Sequence, residues 1–141
     1  MRRGAYAYDA TYPGEALPVL PVEFRTRRDT PGARLEQVIV DTGADASALP
    51  WSDCEQLALD PNEGVPGLMG GVGATTVSTV AFPAWVYLDG QIYPCRLQAD
   101  FTGRERIVGR DVLNRLDVLF RGPGQEVVLN PGPERLEERG V

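Results

Sequence analysis

Val38-Ile39-Val40-Asp41-Thr42-Gly43-Ala44-Asp45 is the stretch on which the fold turns. Three apolar, β-branched residues run straight into an acid and then a glycine. The run predicts a strand buried on both faces. It ends where Gly43 lets the backbone turn, because glycine has no Cβ to forbid φ > 0. Asp41 then stands at the end of a buried strand, and an acid there is costly unless it is paired or used. Asp-Thr-Gly alone arises by chance on the order of a few per cent of the time in a chain this long. By itself it fits an ordinary Asp-Gly-type turn after a core strand. The apolar run before it and two later segments shift the balance toward a functional site.

Upstream, Leu17 to Arg25 predicts a strand with prolines near its start. Proline has no N–H for a ladder, so this strand is expected at a sheet edge. Arg28-Asp29-Thr30-Pro31-Gly32 is turn chemistry, and Arg34 to Val40 returns as the second strand of a hairpin that delivers Asp41. Residues 1–15 show no periodicity and are expected to form a flexible N-terminal arm.

Downstream, Ala46 to Pro50 reads as extended and Trp51 to Leu59 as one short helix, with Pro50 or Ser52 near its start. Asp60-Pro61-Asn62-Glu63-Gly64 breaks it. Val65 to Val77 predicts a hairpin with a pliable tip at Gly70-Gly71-Val72-Gly73. A phosphate-binding loop would need a preceding strand, a following helix and a Lys, and the chain has no Lys. Val80 to Leu88, the turn Asp89-Gly90 and Ile92 to Phe101 form another hairpin. Its Trp85 and Tyr87 share one face and are expected to pack on the core or the sheet face. Ile107-Val108-Gly109 predicts a short buried strand. Arg110 to Leu116 predicts a short helix with Val112, Leu113 and Leu116 inward. Residues 117–121 and 125–130 make a last hairpin. The expected domain is 16–130, followed by a flexible C-terminal tail, 131–141.

Composition narrows the chemistry. A chain of 141 residues is one domain by prior. Its sixteen glycines and twelve prolines are spread along the chain, which suits many short elements joined by turns, an all-β class. The net charge of −6 argues against a nucleic-acid surface, which needs a basic stripe. There is no His, so Ser-His and Cys-His catalysis and the commonest metal ligand are gone together. Cys54 and Cys95 lie far apart and lack zinc-site spacing; they could form one disulfide, but two reduced, half-buried thiols are the expectation, with no metal and no cofactor. No apolar run follows Met1-Arg2-Arg3, and none reaches transmembrane length. A soluble cytoplasmic protein without membrane contact is the default expectation.

VIVDTGAD resembles the active-site loop of the retropepsin-like aspartic proteases, the family of the retroviral proteases and their bacterial relatives. GLMGGVGATTV is similar to the glycine-rich flap of that family, and RIVGRDVL resembles the strand and helix that pack beside its catalytic loop. Three matches in the right order cover the functional middle of the chain. The resemblance implies an all-β acid protease fold, a small closed barrel-like lobe with one short helix, that forms a twofold homodimer. It implies an aspartic endopeptidase acting on peptide or protein substrates. Asp41 matches the catalytic aspartate, Thr42 the threonine that ties the two loops together, and Gly43 the glycine beside the substrate. Ala44, Asp45 and the flap residues Gly70, Gly71, Val72 and Gly73 match the substrate-binding positions. Arg110 matches the arginine that pairs with the second acid, Asp45, and Gly109 precedes it. Ala46 and Asp111 depart from residues frequent in the retroviral enzymes, changes expected to touch subsite and interface detail. Two other functions compete: a non-cleaving retropepsin-like dimerisation or peptide-binding module, and a generic small β-barrel whose Asp-Gly turn is structural.

Overall fold

The computed structural model describes residues 4–70 and 76–131. Ten strands, two short α-helices and one 3-10 turn follow in order: β1 Ala5–Ala7, β2 Val19–Arg25, β3 Ala33–Val40, β4 Ala48–Pro50, α1 Trp51–Gln56, the 3-10 turn Pro61–Glu63, β5 Val65–Gly70, β6 Thr76–Leu88, β7 Gln91–Asp100, β8 Ile107–Val108, α2 Arg110–Leu113, β9 Val118–Arg121 and β10 Glu126–Leu129. The large sheet runs β2-β3-β8-β4-β7-β6-β5, and β2 also pairs with β6. That extra pairing closes six strands into a barrel, with β5 carried on the outside of β6. A separate sheet has the order β1-β10-β9. The all-β fold follows the sequence.

Period-two burial explains the closure. Leu20, Val22 and Phe24 of β2 point inward and are fully buried, as are Val86 and Leu88 of β6 and Leu97 of β7. Trp85 and Tyr87, on the opposite face of β6, lie outside the barrel. The Arg25 guanidinium carbon sits 4.9 Å from the centre of the Tyr87 ring. The β6–β7 turn has positive φ at both Asp89 and Gly90, the backbone a two-residue hairpin of right-handed twist requires.

Two elements depart from expectation. β2 is not an edge strand: it pairs with β3 on one side and, through Glu23 to Arg25, with β6 on the other. Pro21 is tolerated because the β2–β3 register slips between Leu20 and Val22. Opposite it, β3 carries an extra residue, with Gln37 at φ 55°. The bulge removes the ladder position that a proline could not fill. Residues 5–7, expected within a loose arm, pair with β10, and Asp9 bridges Leu17. Main-chain bonds and the burial of Ala5 tie down a segment without side-chain periodicity. The C-terminal tail from residue 132 and the flap residues Gly71, Val72 and Gly73 lie outside the described residues.

α1 and α2 are each shorter than expected, ending at Gln56 and Leu113. No helix among the described residues is long and apolar enough to cross a membrane.

Candidate active site

β3 and β8 run parallel, Ile39 beside Ile107 and Val40 beside Val108. The ladder continues past the strand end: Ile39 N–H donates to Arg106 O at 2.8 Å and Asp41 N–H to Val108 O at 3.1 Å. Asp41 is thus fixed by its own backbone at the mouth of the barrel, half-buried. The chain then turns tightly, with Ala44 N–H on Asp41 O at 3.2 Å. Gly43 N–H donates to Asp41 Oδ1 at 2.9 Å. A Cβ on Gly43 would stand 3.2 Å from that same oxygen, so a side chain there would crowd the carboxylate. Thr42 and Gly43 are exposed.

Arg110 holds the loop from below at three points. Its N–H donates to Ala44 O at 2.9 Å, its Nη1 donates to Thr42 O at 2.8 Å, and its Nη2 meets the Asp45 carboxylate. The sequence pairing of Asp45 with Arg110 is therefore realised inside one chain. Gly109 permits the approach: a Cβ there would lie 2.7 Å from the carbonyl carbon and oxygen of Ala46 and 2.9 Å from Ala44 O.

A second layer was not legible in the sequence. Ser47 is fully buried. Its hydroxyl donates to Asp111 Oδ1 at 2.9 Å and accepts from Gly109 N–H at 3.1 Å. A carboxylate only accepts, so the direction of the Ser47 proton is fixed. Asp111 also accepts from Val112 N–H at 3.0 Å and Arg96 N–H at 2.9 Å. Asp111 therefore joins β7, α2 and the Asp41 loop within the chain. Asp53, 4% exposed on α1, receives Arg106 Nε at 2.8 Å and Nη2 at 3.0 Å. The hydrogen bond to Asp53 raises the Arg106 pKa, with burial opposing it. This pair ties α1 to the residue before β8.

The hairpin of β5 and β6 is present up to its last described pair, Gly70 with Thr76. Cys54 and Cys95 are free and buried. Burial, then the nearby Asp53, pushes the Cys54 thiol up to about 12. Burial, then Asp111, raises the Cys95 thiol. Among the described residues no three acids or thiols gather as a metal-ligand group.

No family model and no curated protein matches the chain. Among solved structures it is similar to EIAV protease complexed with the inhibitor HBY-793. The TM-score is 0.55 at 30% identity, over 75% of this chain and 93% of that one. The chain has the retropepsin-like fold. That likeness supports an enzyme of the aspartic protease kind. In the retropepsin-like frame, the Asp41-Thr42-Gly43 turn, half-buried at Asp41 and exposed at Thr42 and Gly43, is the candidate active site.

Proposed function

We propose that the chain is an aspartic endopeptidase of the retropepsin-like family that works as a homodimer, Asp41 of each copy forming the catalytic pair. The observation that carries this is the Asp41-Thr42-Gly43 loop. Its carboxylate is turned onto Gly43 N–H and its backbone is braced by Arg110, in a fold similar to that of EIAV protease.

Hydrolysis of this type needs two carboxylates sharing a proton. One takes a proton from the attacking water while the other, protonated, polarises the peptide carbonyl. The chain has one Asp-Thr-Gly. A twofold axis supplies the second from an identical chain with no further sequence requirement. The Thr42 hydroxyl is proposed to reach the partner loop. An extended peptide would lie between this floor and the β5–β6 hairpin, bonded along its main chain like an added strand. Glycines at Gly70, Gly71 and Gly73 would let the hairpin close on it and exclude water.

The test uses a mixed peptide library and three measurements. Cleavage should appear with wild-type protein and vanish in Asp41→Asn, whose amide cannot exchange the proton. Activity per chain should rise with concentration until the dimer is saturated. Excess Asp41→Asn chains should poison the wild type through dead heterodimers. Activity that stays proportional to wild-type chains, with subunit exchange demonstrated separately, would overturn the twofold pair. No cleavage at any pH would favour a non-cleaving binding module.

A further inference from the structure

A cleft of about 720 Å³ lies beside the barrel, and Asp41 is not among its lining. Its walls come from four places. They are the Asp9-to-Leu17 segment, the end of β3 at Gln37 and Ile39, the start of α1 at Trp51, and the loop from Asp100 to Arg106. Two of these walls lead directly into the candidate site: Ile39 is two residues before Asp41, and Arg106 is followed by β8, Gly109 and Arg110.

The lining has a definite chemistry. Trp51 and Phe101 stack with ring centres 5.1 Å apart, and Phe101 is 45% exposed although large and apolar. Five carboxylates face two guanidiniums around the cleft. Arg106 is neutralised by both oxygens of Asp53 and Glu36 is paired with Arg34, which leaves Arg104 against Asp9, Asp100 and Glu105. Asp100 uses Oδ1 to accept from Thr102 and Gly103, and Glu105 uses Oε2 to accept from Tyr12 at 3.3 Å. Asp100 Oδ2 and Glu105 Oε1 receive no hydrogen bond from the described residues. Carboxylate oxygens without a hydrogen-bond donor, beside aromatic faces, suit a cation with a flat or alkyl body. The oxygens take its N–H groups and the rings take its face. An anion would meet the excess of carboxylates, and a purely apolar ligand would leave those oxygens desolvated without donors.

We propose that this cleft binds an arginine or lysine side chain of a peptide. Asp100 and Glu105 accept its N–H groups, and Trp51 and Phe101 pack against its body. As a binding site the cleft is independent of the dyad. As a means of choosing substrates by a basic residue away from the scissile bond, it rests on the protease reading above.

The experiment measures binding of fluorescently labelled, capped pentapeptides to the full chain carrying Asp41→Asn, which keeps the peptides intact. The peptides are alanine-based and differ only at the centre: Arg, Gln or Glu. The Arg peptide is expected to bind at least about tenfold more tightly than the Gln peptide, as loss of a charge-assisted hydrogen bond implies. Its binding should weaken with added salt. Glu105→Gln and Phe101→Ala should each remove most of that preference, with unchanged circular dichroism showing that the fold is kept. Equal affinity for Arg and Gln peptides overturns the proposal. So does an Arg preference that survives in both variants, because the peptide then sits elsewhere. An Arg preference in Asp41→Asn alongside a wild type that cleaves nothing would leave the cleft standing and remove the protease reading. Cleavage without any Arg preference would do the reverse.

Discussion

Arg106→Ala should be among the most damaging single changes outside the apolar core, and the reason is an asymmetry of burial. The Asp53 side chain is 6% exposed, whereas that of Arg106 is 39% exposed. Both Asp53 oxygens are satisfied by the one guanidinium, at 2.8 and 3.0 Å. Removing Arg106 strands a buried carboxylate without its counter-charge. Breaking a fully buried pair in that way costs about 3–5 kcal/mol. Because Arg106 already reaches water, screening reduces the value of the pair, and about 2–3 kcal/mol is the reasoned figure. For a domain of this size that lowers Tm by about 10 °C. Asp53→Ala leaves a guanidinium that can rehydrate, so its electrostatic cost is about 1 kcal/mol or less. The double variant should be more stable than Arg106→Ala alone, since the stranded charge is gone. Urea unfolding at neutral pH measures all three. Equal losses for the two single variants, or strict additivity in the double, would refute the reasoning.

Gly109→Ala should destabilise by about 1–3 kcal/mol through overpacking. Its Cβ would press on backbone atoms of Ala44 and Ala46, and peptidase assays should show a larger loss of activity than denaturation shows of stability. Arg110→Ala removes an ion pair whose partners are 40% and 78% exposed in the single chain, so thermal unfolding should change by less than about 1 kcal/mol. Activity should nonetheless fall, because the Thr42 carbonyl loses its donor. Cys54 and Cys95 should resist a thiol reagent at pH 8 in the folded protein and react on unfolding, read by absorbance. With the Cys54 thiol held up to about 12 against an ordinary 9.0, the folded chain keeps a proton that the unfolded chain loses. Stability should therefore be full below about pH 9 and decline as pH rises toward 12, as denaturation at stepped pH would show.

The parts of the fold visible in the sequence are those written in side-chain periodicity and turn chemistry. Val38 to Val40, the even-numbered residues of Phe82 to Leu88, and Asp89-Gly90 each dictate a local structure with few alternatives. Pro21 misled because an edge strand and a bulge excuse the same missing N–H, and only the pairing partner distinguishes them. The pairing of Ala5–Ala7 with β10 was hidden because three residues held by main-chain bonds carry no pattern of their own. In the candidate site, the contiguous Asp41-to-Asp45 loop was legible. Ser47 with Asp111 and Asp53 with Arg106 were not, being 64 and 53 residues apart in sequence. An acid early in a short helix, as Asp53 is, has an ordinary explanation in the helix dipole. Nothing local marks it as a buried partner.

The way the loop is held bears on why one carboxylate per chain suffices for the proposed chemistry. Among the described residues, the contacts that fix the Asp41 turn form within one chain: Val108 O on the strand side, Arg110 beneath, and Ser47 with Asp111 behind Gly109. None needs a partner to form. What the single chain leaves open is the front of the turn, where Thr42 and Gly43 are exposed. A loop rigid behind and open in front can meet its own copy without refolding. The geometry of a shared-proton pair would then depend on one rigid-body approach and not on mutual ordering of two floppy loops. Ordering costs about 1–2 kcal/mol of backbone entropy per residue, so five residues held in advance remove a large penalty from association. Loosening the brace should for that reason weaken the dimer as well as the chemistry. Sedimentation of Arg110→Ala across a concentration series should show a raised dissociation constant. An unchanged constant together with lost activity would mean that the brace acts on Asp41 alone.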